Sequence, residues 1–260
     1  MTQEEKKLAQ HFNILVACEE SQRVCTEFRK RGFNAYSCDL LKCSGGHPEW
    51  HFNCDVFEII KNKGGKLQNG DSAFINGNWN LMVAHPPCTY LAVSGARWFY
   101  NPEDKDLPIE KRRPHPKFPH RAQDREEGKK FFISLAETDI AHIAIENPVG
   151  IMNTQWRKPD QVVQPYYFGD EASKTTCLWL KNLPPLKPTK IVSKGEYITL
   201  SSGKRLPKWY SDALTKSKTP EERRNLRSKT FPGFAKAIAE QWGKFLIDEY
   251  KKQSKEDTNC

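Results

Sequence analysis

Residues 81–88, Leu-Met-Val-Ala-His-Pro-Pro-Cys, form the stretch that decides how this chain folds. Its four apolar residues predict a buried β-strand. The strand must end at Pro86 and Pro87, because proline fixes φ and has no backbone N–H to donate to a neighbouring strand. Cys88 is therefore expected on a constrained loop just beyond the carboxyl end of a strand, where open α/β sheets bind their ligands.

Apolar runs and helical patterns alternate on both sides of this stretch. Strands are predicted at residues 13–18, 33–38, 79–84 and 140–145, and helices at 24–31, 124–138 and 234–250. The alternation predicts an α/β fold with a doubly wound, mostly parallel sheet. Residues 61–80, rich in Gly and Asn, and residues 97–125, with five prolines, are predicted as loops.

The length of 260 residues favours a single domain that spans 1–260. Residues 152–229 are rich in Pro, Trp, Tyr and Lys, and they are predicted to form a small insertion. Residues 251–260 are predicted to be a flexible tail.

The composition indicates which binding partners and which cellular location to expect for this protein. The net charge of +9 favours an anionic partner such as nucleic acid. The chain has no apolar run near the roughly 20 residues that span a bilayer, and its first ten residues do not form a signal peptide. No membrane partner and a cytoplasmic location are therefore expected, where the eight cysteines would be mostly reduced.

Two aspartates follow predicted strand ends. Asp39 comes directly after the second strand, and Asp55 follows a short stretch that begins near Trp50. A carboxylate in such a place can accept hydrogen bonds from both ribose hydroxyls, and a following acid can bind the adenine amine. Each aspartate alone is equally typical of a helix cap. Together they favour a nucleoside cofactor, while the missing Gly-x-Gly-x-x-Gly pattern argues against a nicotinamide enzyme.

Cys88 and Glu146 are the candidates for chemistry. A cysteine usually fills a core, but a loop cysteine that faces a cleft can become a nucleophile. Glu146 and Asn147 end the next predicted strand, where a carboxylic acid could protonate a base edge or only begin a turn.

A second cluster contains possible metal ligands, namely Cys38, Cys43, His47, His51 and Cys54. Its spacing matches no familiar zinc site, so no metal is predicted.

Pro87-Cys88 and Glu146-Asn147, each after a strand and in this order, resemble two signatures of DNA cytosine-5 methyltransferases. The chain is most similar to the short members of this family that phages and prophages encode. The matching segments are residues 16–19, 84–91, 145–148, 168–174 and 229–233.

The resemblance implies a Rossmann-like S-adenosylmethionine-dependent methyltransferase fold and a covalent mechanism. Cys88 would add as thiolate to carbon 6 of a flipped cytosine, with Glu146 at the ring nitrogen and Asn147 beside it. Carbon 5 would then take the methyl group from S-adenosylmethionine. In a phage, such methylation would be part of restriction and modification, in which methylated DNA is protected from host nucleases.

The resemblance also assigns binding residues. The positions expected at the cofactor are Cys18, Glu19, Ser21, Asp39, Leu40, Asp55, His85 and Pro86. Residues 97–125 would correspond to the mobile segment that closes over the flipped base of double-stranded DNA. The positions expected at the DNA are Arg97, Lys111, Arg112, Arg113, Lys117, Arg121 and Lys174. A monomer is favoured.

Two alternatives stay open. His85-Pro86-Pro87 also resembles the Asp/Asn-Pro-Pro-aromatic motif of methyltransferases that act on exocyclic amines. The family's glycine-rich motif and paired arginines are absent, with Lys174 as the nearest basic element, and residues 152–229 are short for a target-recognition region. These departures suit a non-catalytic relative that binds nucleic acid.

Overall fold

The chain folds around a seven-stranded β-sheet, and a computed structural model describes residues 1–258. The eleven strands, numbered along the chain, are β1 (Asn13–Ala17), β2 (Asn34–Cys38), β3 (His51–Phe52), β4 (Gly64–Lys66), β5 (Ser72–Phe74), β6 (Leu81–Ala84), β7 (His142–Pro148), β8 (Gln161–Val163), β9 (Thr176–Lys181), β10 (Tyr197–Thr199) and β11 (Arg205–Pro207). The α-helices are α1 (Gln3–Ala9), α2 (Arg23–Lys30), α3 (Val56–Asn62), α4 (Arg121–Ala136), α5 (Met152–Gln155), α6 (Lys208–Lys216), α7 (Pro220–Ser228) and α8 (Pro232–Thr258). Short 3-10 helices lie at Pro48–Trp50, Val93–Trp98, Pro102–Asp104, Ile109–Lys111 and Pro165–Tyr167.

The central sheet has the strand order β3-β2-β1-β6-β7-β9-β8. Strands β3, β2, β1, β6 and β7 are mutually parallel, whereas β9 runs antiparallel to both β7 and β8. The prediction of an α/β fold with a mostly parallel sheet is therefore confirmed. The order is that of a doubly wound Rossmann-like sheet, with one reversed strand inserted near its end.

Helices cover both faces of the sheet, because successive strand residues point to opposite sides. Ile14 and Val16 of β1 face a core that contains Phe28 of α2 and Trp242 of α8. Leu15 and Ala17 face a second core with residues of α3 and α4, such as Phe132. Burial on both faces explains why β6 is apolar throughout and β1 is apolar from Ile14 onward.

The register brings three strand ends level at one edge. Ala17 pairs with Ala84, and Ala84 pairs with Ile145. The residues that follow on β1, β6 and β7 are Cys18, His85 and Glu146. The sheet therefore gathers residues that are far apart in sequence at a single carboxyl edge.

Several elements differ from the prediction. Residues 61–80 contain the end of α3 and a β4–β5 hairpin, because Ile59 packs into the core and the turn Asn69-Gly70 favours a hairpin. Strand β7 runs on through Asn147 because β9 pairs with it, and α4 begins three residues early, at Arg121. Residues 97–125 form a packed segment with 3-10 helices rather than an irregular loop.

The C-terminal part of the chain also differs from expectation. Residues 152–229 contribute β8 and β9 to the central sheet, and only Tyr197–Ser228 forms a separate hairpin and helix pair. Helix α8 continues to Thr258 through most of the predicted tail, where Lys251 lies 3.7 Å from Glu5 of α1. Residues 259–260 of that tail lie outside the described residues.

No helix within residues 1–258 combines the length and apolar composition needed to cross a bilayer. The seven cysteines in this part of the chain are all free thiols.

Candidate active site at the carboxyl edge of the sheet

The loop after β6 holds Cys88 in a tight turn. The N–H of His85 donates the last sheet hydrogen bond, 2.9 Å to the carbonyl of Ala17. The two prolines then end the ladder, since neither has an N–H to donate. The carbonyl of Cys88 accepts a hydrogen bond from the N–H of Leu91 at 3.0 Å, which closes the turn. Cys88 lies on the loop just beyond β6, where the sequence predicts it, and it is half-buried there.

Glu146 and Asn147 lie within β7 rather than beyond it. Glu146 pairs with Leu178 of β9, and the residue before it, Ile145, pairs with Ala84 of β6. The buried Asn147 donates its side-chain N–H to the carbonyl of Pro86 at 2.8 Å. This bond ties the Cys88 loop to the next strand, so Asn147 positions the loop.

His85 and Glu146 form a nearly buried pair. Nδ1 of His85 lies 3.2 Å from Oε2 of Glu146, and the side chains are 11% and 12% exposed. Burial raises the pKa of Glu146, but the hydrogen bond from His85, the charges of Lys174 and His85 and a hydrogen bond from Thr176 together lower it below its usual value. Glu146 is therefore ionised at neutral pH.

The electrostatic surroundings of Cys88 are mixed. Burial and the negative charge of Glu146 raise the pKa of the Cys88 thiol, while Lys174 and Arg227 oppose this rise. Lys174, predicted at the DNA, thus lies close enough to act on both Cys88 and Glu146. Sequence reasoning missed Thr176 and Arg227, because nothing local in the sequence links them to residue 88.

A sharp turn follows β1, where cofactor residues are predicted. Cys18 and Gln22 adopt left-handed φ values of 57° and 56°, and a Cβ on Gly45 would come within 2.7 Å of the Ser21 carbonyl. Glu19 is buried and accepts hydrogen bonds from two backbone N–H groups of α2, at 2.7 Å and 3.2 Å. The prediction that Glu19 contacts the cofactor is therefore corrected: its carboxylate caps α2.

The two aspartates converge beside Cys18. Burial raises the pKa of the Cys18 thiol, and the charges of Asp39 and Asp55 raise it further. Asp39 accepts the N–H of Leu41 at 2.8 Å, and burial raises the pKa of its carboxyl. Asp55 caps α3 by accepting the N–H of Phe57 at 2.8 Å. Both carboxylates can therefore accept further hydrogen bonds at the carboxyl edge of the sheet.

Leu40 and the possible metal ligands complete this region. Leu40 is 75% exposed, next to Asp39. Both ring nitrogens of His51 are hydrogen-bonded, to Ser37 Oγ at 2.8 Å and to the Leu41 carbonyl at 2.9 Å. Among residues 1–258, no group of three or more His, Cys, Asp or Glu side chains could hold a metal ion.

The basic residues of segment 97–125 divide into two groups. Arg97, Lys111 and Lys117 are exposed, as DNA contacts require. The others are engaged within the protein: Arg112 donates to the carbonyls of Leu107 and Lys105, Arg113 pairs with Asp104 and Glu103, and Arg121 donates to the Thr89 carbonyl at 2.7 Å.

Arg121 requires a correction. It is only 5% exposed, and its guanidinium lies over the rings of Tyr90 and Phe99, at 5.1 Å and 5.0 Å from their centroids. A buried side chain of this kind does not reach a phosphate. Arg121 instead anchors segment 97–125 to the residue that follows Cys88.

Positive charge is concentrated elsewhere, in residues 187–229, the basic segment. It contains twelve Lys or Arg and four Asp or Glu, so it carries eight of the nine net positive charges. Trp209 Nε1 donates to the Ser173 carbonyl at 3.1 Å, and Lys229 Nζ lies 3.2 Å from Ser44 Oγ. The basic segment therefore borders both the Cys88 site and the edge beside β2.

Two open grooves lie outside this site. One of about 560 Å³ is lined by His142 and Glu249 near the opposite edge of the sheet, and one of about 370 Å³ lies between Asn53 and Gln68. Neither is lined by Cys88 or Glu146. The chemistry-bearing side chains, and not groove volume, mark the candidate site.

The fold and site define an α/β protein with a Rossmann-like sheet and a cysteine–carboxylate pair at its carboxyl edge. No protein-family model matches this chain, and no curated protein matches it.

Proposed function

We propose that this protein is an S-adenosylmethionine-dependent methyltransferase that methylates carbon 5 of cytosine in DNA through a covalent adduct with Cys88. The observation that carries the proposal is the meeting of Cys88 and Glu146 at the ends of the neighbouring strands β6 and β7. The negative charge of Glu146 is close enough there to raise the pKa of the Cys88 thiol. The mostly parallel sheet is also compatible with the Rossmann-like methyltransferase fold that the resemblance implies.

The residues of the chain have distinct roles in this reaction. The thiolate of Cys88 bonds to carbon 6 while Glu146 supplies a proton to ring nitrogen 3, so that carbon 5 becomes an enamine carbon. After methylation a base takes the carbon-5 proton, the sulfur–carbon bond breaks and nitrogen 3 returns its proton. Lys174 and Arg227 favour the thiolate, and Asn147 holds the loop that carries it.

The edge after β1, β2 and β3 suits the cofactor. Asp39 offers a half-buried carboxylate for ribose hydroxyls, and Asp55 offers a second acceptor beside it. The sharp turn at Cys18 offers backbone groups, and the exposed Leu40 offers apolar surface, for the remaining parts of S-adenosylmethionine. When bound, S-adenosylmethionine supplies an electrophilic methyl group.

Double-stranded DNA is the proposed partner, and the basic segment supports this. A surface that carries most of the net charge attracts a polyanion and releases its counterions. The exposed residues Arg97, Lys111 and Lys117 lie on a second segment tied to the Cys88 loop through Arg121. DNA between the two segments would have its bases near Cys88.

The geometry favours the thiol mechanism over methylation of an exocyclic amine. An amine-methylating site uses a polar residue and a proline carbonyl to hold the amine. Here the Pro86 carbonyl accepts a hydrogen bond from Asn147, and the His85 ring faces Glu146. Both groups are already engaged with β7.

The test is incubation with double-stranded DNA and methyl-labelled S-adenosylmethionine, followed by mass spectrometry of the digested nucleosides. We expect 5-methylcytosine from the unchanged protein, none from Cys88→Ser, and normal product from the matched control Cys43→Ser. A methylated amine made by Cys88→Ser would establish the amine alternative. DNA binding without any label would establish the binding-only alternative.

A further inference from the structure

The proposed reaction needs a proton on Glu146 when Cys88 attacks, but the resting site does not hold it there. Burial raises the pKa of Glu146, yet the hydrogen bond from His85 and the charge of Lys174 lower it below its usual value. An ionised carboxylate accepts hydrogen bonds and has no proton to donate. A second group must therefore store that proton.

His85 is the titratable group in direct contact with Glu146. Its Nδ1 lies 3.2 Å from Glu146 Oε2, within hydrogen-bond reach. The pair is held by two central strands, since Ala84 pairs with Ile145 one residue earlier. Side chains that are 11% and 12% exposed leave little room for water to deliver a proton instead.

The second ring nitrogen of His85 is unusual among the histidines of the sheet. Its Nε2 is buried and has no hydrogen-bond partner within the described residues. In contrast, both nitrogens of His51 and both of His142 have partners. Because Nδ1 donates to the carboxylate, the unpartnered Nε2 of His85 can take up or release a proton without breaking an existing hydrogen bond.

Charged and titratable groups surround the pair on every side. Glu19 faces His85 from the turn after β1, where burial raises the pKa of Glu19 and His85 opposes the rise. The groups that act on Glu146 or Cys88 from the other elements are Lys174 just before β9, Thr176 at the start of β9 and Arg227 on α7. Glu146 in turn raises the pKa of Cys177 on β9.

We propose that His85 is a positioning residue that stores the proton which Glu146 delivers to the cytosine ring. The proton first passes from His85 Nδ1 to Glu146 Oε2. As the sulfur–carbon 6 bond forms, the carbon 5–carbon 6 pair shifts toward carbon 4 and nitrogen 3 takes the proton of Glu146. When the adduct breaks down, nitrogen 3 returns the proton through Glu146 to His85. This inference rests on the proposed function.

The first test does not need methyl transfer. Glutamate labelled with carbon-13 at the side-chain carboxyl is titrated in the unchanged protein and in His85→Gln, with Glu146→Gln used to assign the signal. We expect the titration midpoint of Glu146 to be higher in His85→Gln, because the hydrogen bond and the charge of His85 that lower the pKa of Glu146 are then missing. An unchanged midpoint overturns the proposal.

The second test is the pH profile of methyl transfer. In His85→Gln we expect kcat at neutral pH to fall about 100-fold, a typical loss for a missing acid–base group, with KM for DNA within about twofold of normal. The ratio of kcat in the unchanged protein to kcat in His85→Gln should shrink as pH falls, because more of Glu146 then carries a proton before the reaction begins, while the loss of Cys88 thiolate affects both proteins equally. The matched control is His142→Gln, which removes the histidine of another His–Glu pair, 2.9 Å apart, and should behave normally.

The outcomes separate the two proposals. A normal kcat in His85→Gln, or a loss that is equal at every pH, overturns proton storage alone. No methyl transfer by the unchanged protein at any pH overturns the proposed function, and this inference with it.

Discussion

Replacing Glu146 with Gln should make Cys88 more reactive. The change removes a negative charge that raises the pKa of the Cys88 thiol, and it keeps the size and the hydrogen bond to His85. Neighbouring strands are about 4.8 Å apart, so the two groups are on the order of 7 Å apart. At an effective dielectric constant of about 20, the charge of Glu146 makes the Cys88 thiolate less favourable by roughly 2 kcal/mol, so its removal should lower the pKa of the Cys88 thiol by about 1–2.

The gain in rate is smaller than the gain in thiolate. Each unit by which the thiol pKa falls gives about tenfold more thiolate at neutral pH, but the thiolate becomes about threefold less nucleophilic. The reaction of Cys88 with a disulfide reagent should therefore be about 3- to 10-fold faster in Glu146→Gln.

The assay is a timed reaction at pH 7, quenched with acid, with peptide mass spectrometry to separate Cys88 from the other cysteines. Glu249→Gln is the control, since it removes the carboxylate that pairs with His142 near the opposite edge of the sheet. An equal or slower rate at Cys88 in Glu146→Gln would show that the two groups do not face each other.

Three further results are expected. Gly243→Ala should lower the free energy of unfolding by about 1–2 kcal/mol, because the new Cβ would come within 2.7 Å of the buried Phe33 ring. Gly128→Ala on α4 is the control and should not lower it, because its Cβ would lie 3.5 Å from Leu91. Chemical denaturation measures both free energies. A triple variant of the basic segment, Lys204→Ala, Lys218→Ala, Arg224→Ala, should bind DNA with a weaker salt dependence. The slope of log affinity against log salt concentration, measured by titration at several salt concentrations, should decrease in magnitude by up to about 3. A slope equal to that of the unchanged protein would show that these residues do not contact DNA. Side-chain and backbone hydrogen bonds from Arg113 lower the pKa of Asp104 to about 2, so its stabilising contribution is complete above about pH 4 and is lost as pH falls through about 2. The difference in unfolding free energy between the protein and Asp104→Asn should follow that course, and a constant difference from pH 5 to 2 would contradict it.

Much of the fold follows from local patterns in the sequence. The runs in β1, β6 and the start of β7 are mostly apolar because both faces of a parallel sheet are buried, and Pro86 marks a strand end through its own geometry. The strand end and the position of Cys88 on the loop that follows it could therefore be predicted. The extension of β7 through Glu146 could not, because it depends on pairing with β9, whose residues lie more than 25 positions further along the chain.

The candidate site shows the same division between sequence and structure. The sequence by itself determined which groups stand at strand ends: Cys18, Asp39, Cys88 and Glu146 each follow or end an apolar run. Only the tertiary structure decided which groups meet, since the sheet register sets His85 beside Glu146 and the packing of the basic segment brings Arg227 toward Cys88. It also decided that Arg121 is a buried anchor. Contacts between distant segments depend on strand order and packing, which no local pattern of residues encodes.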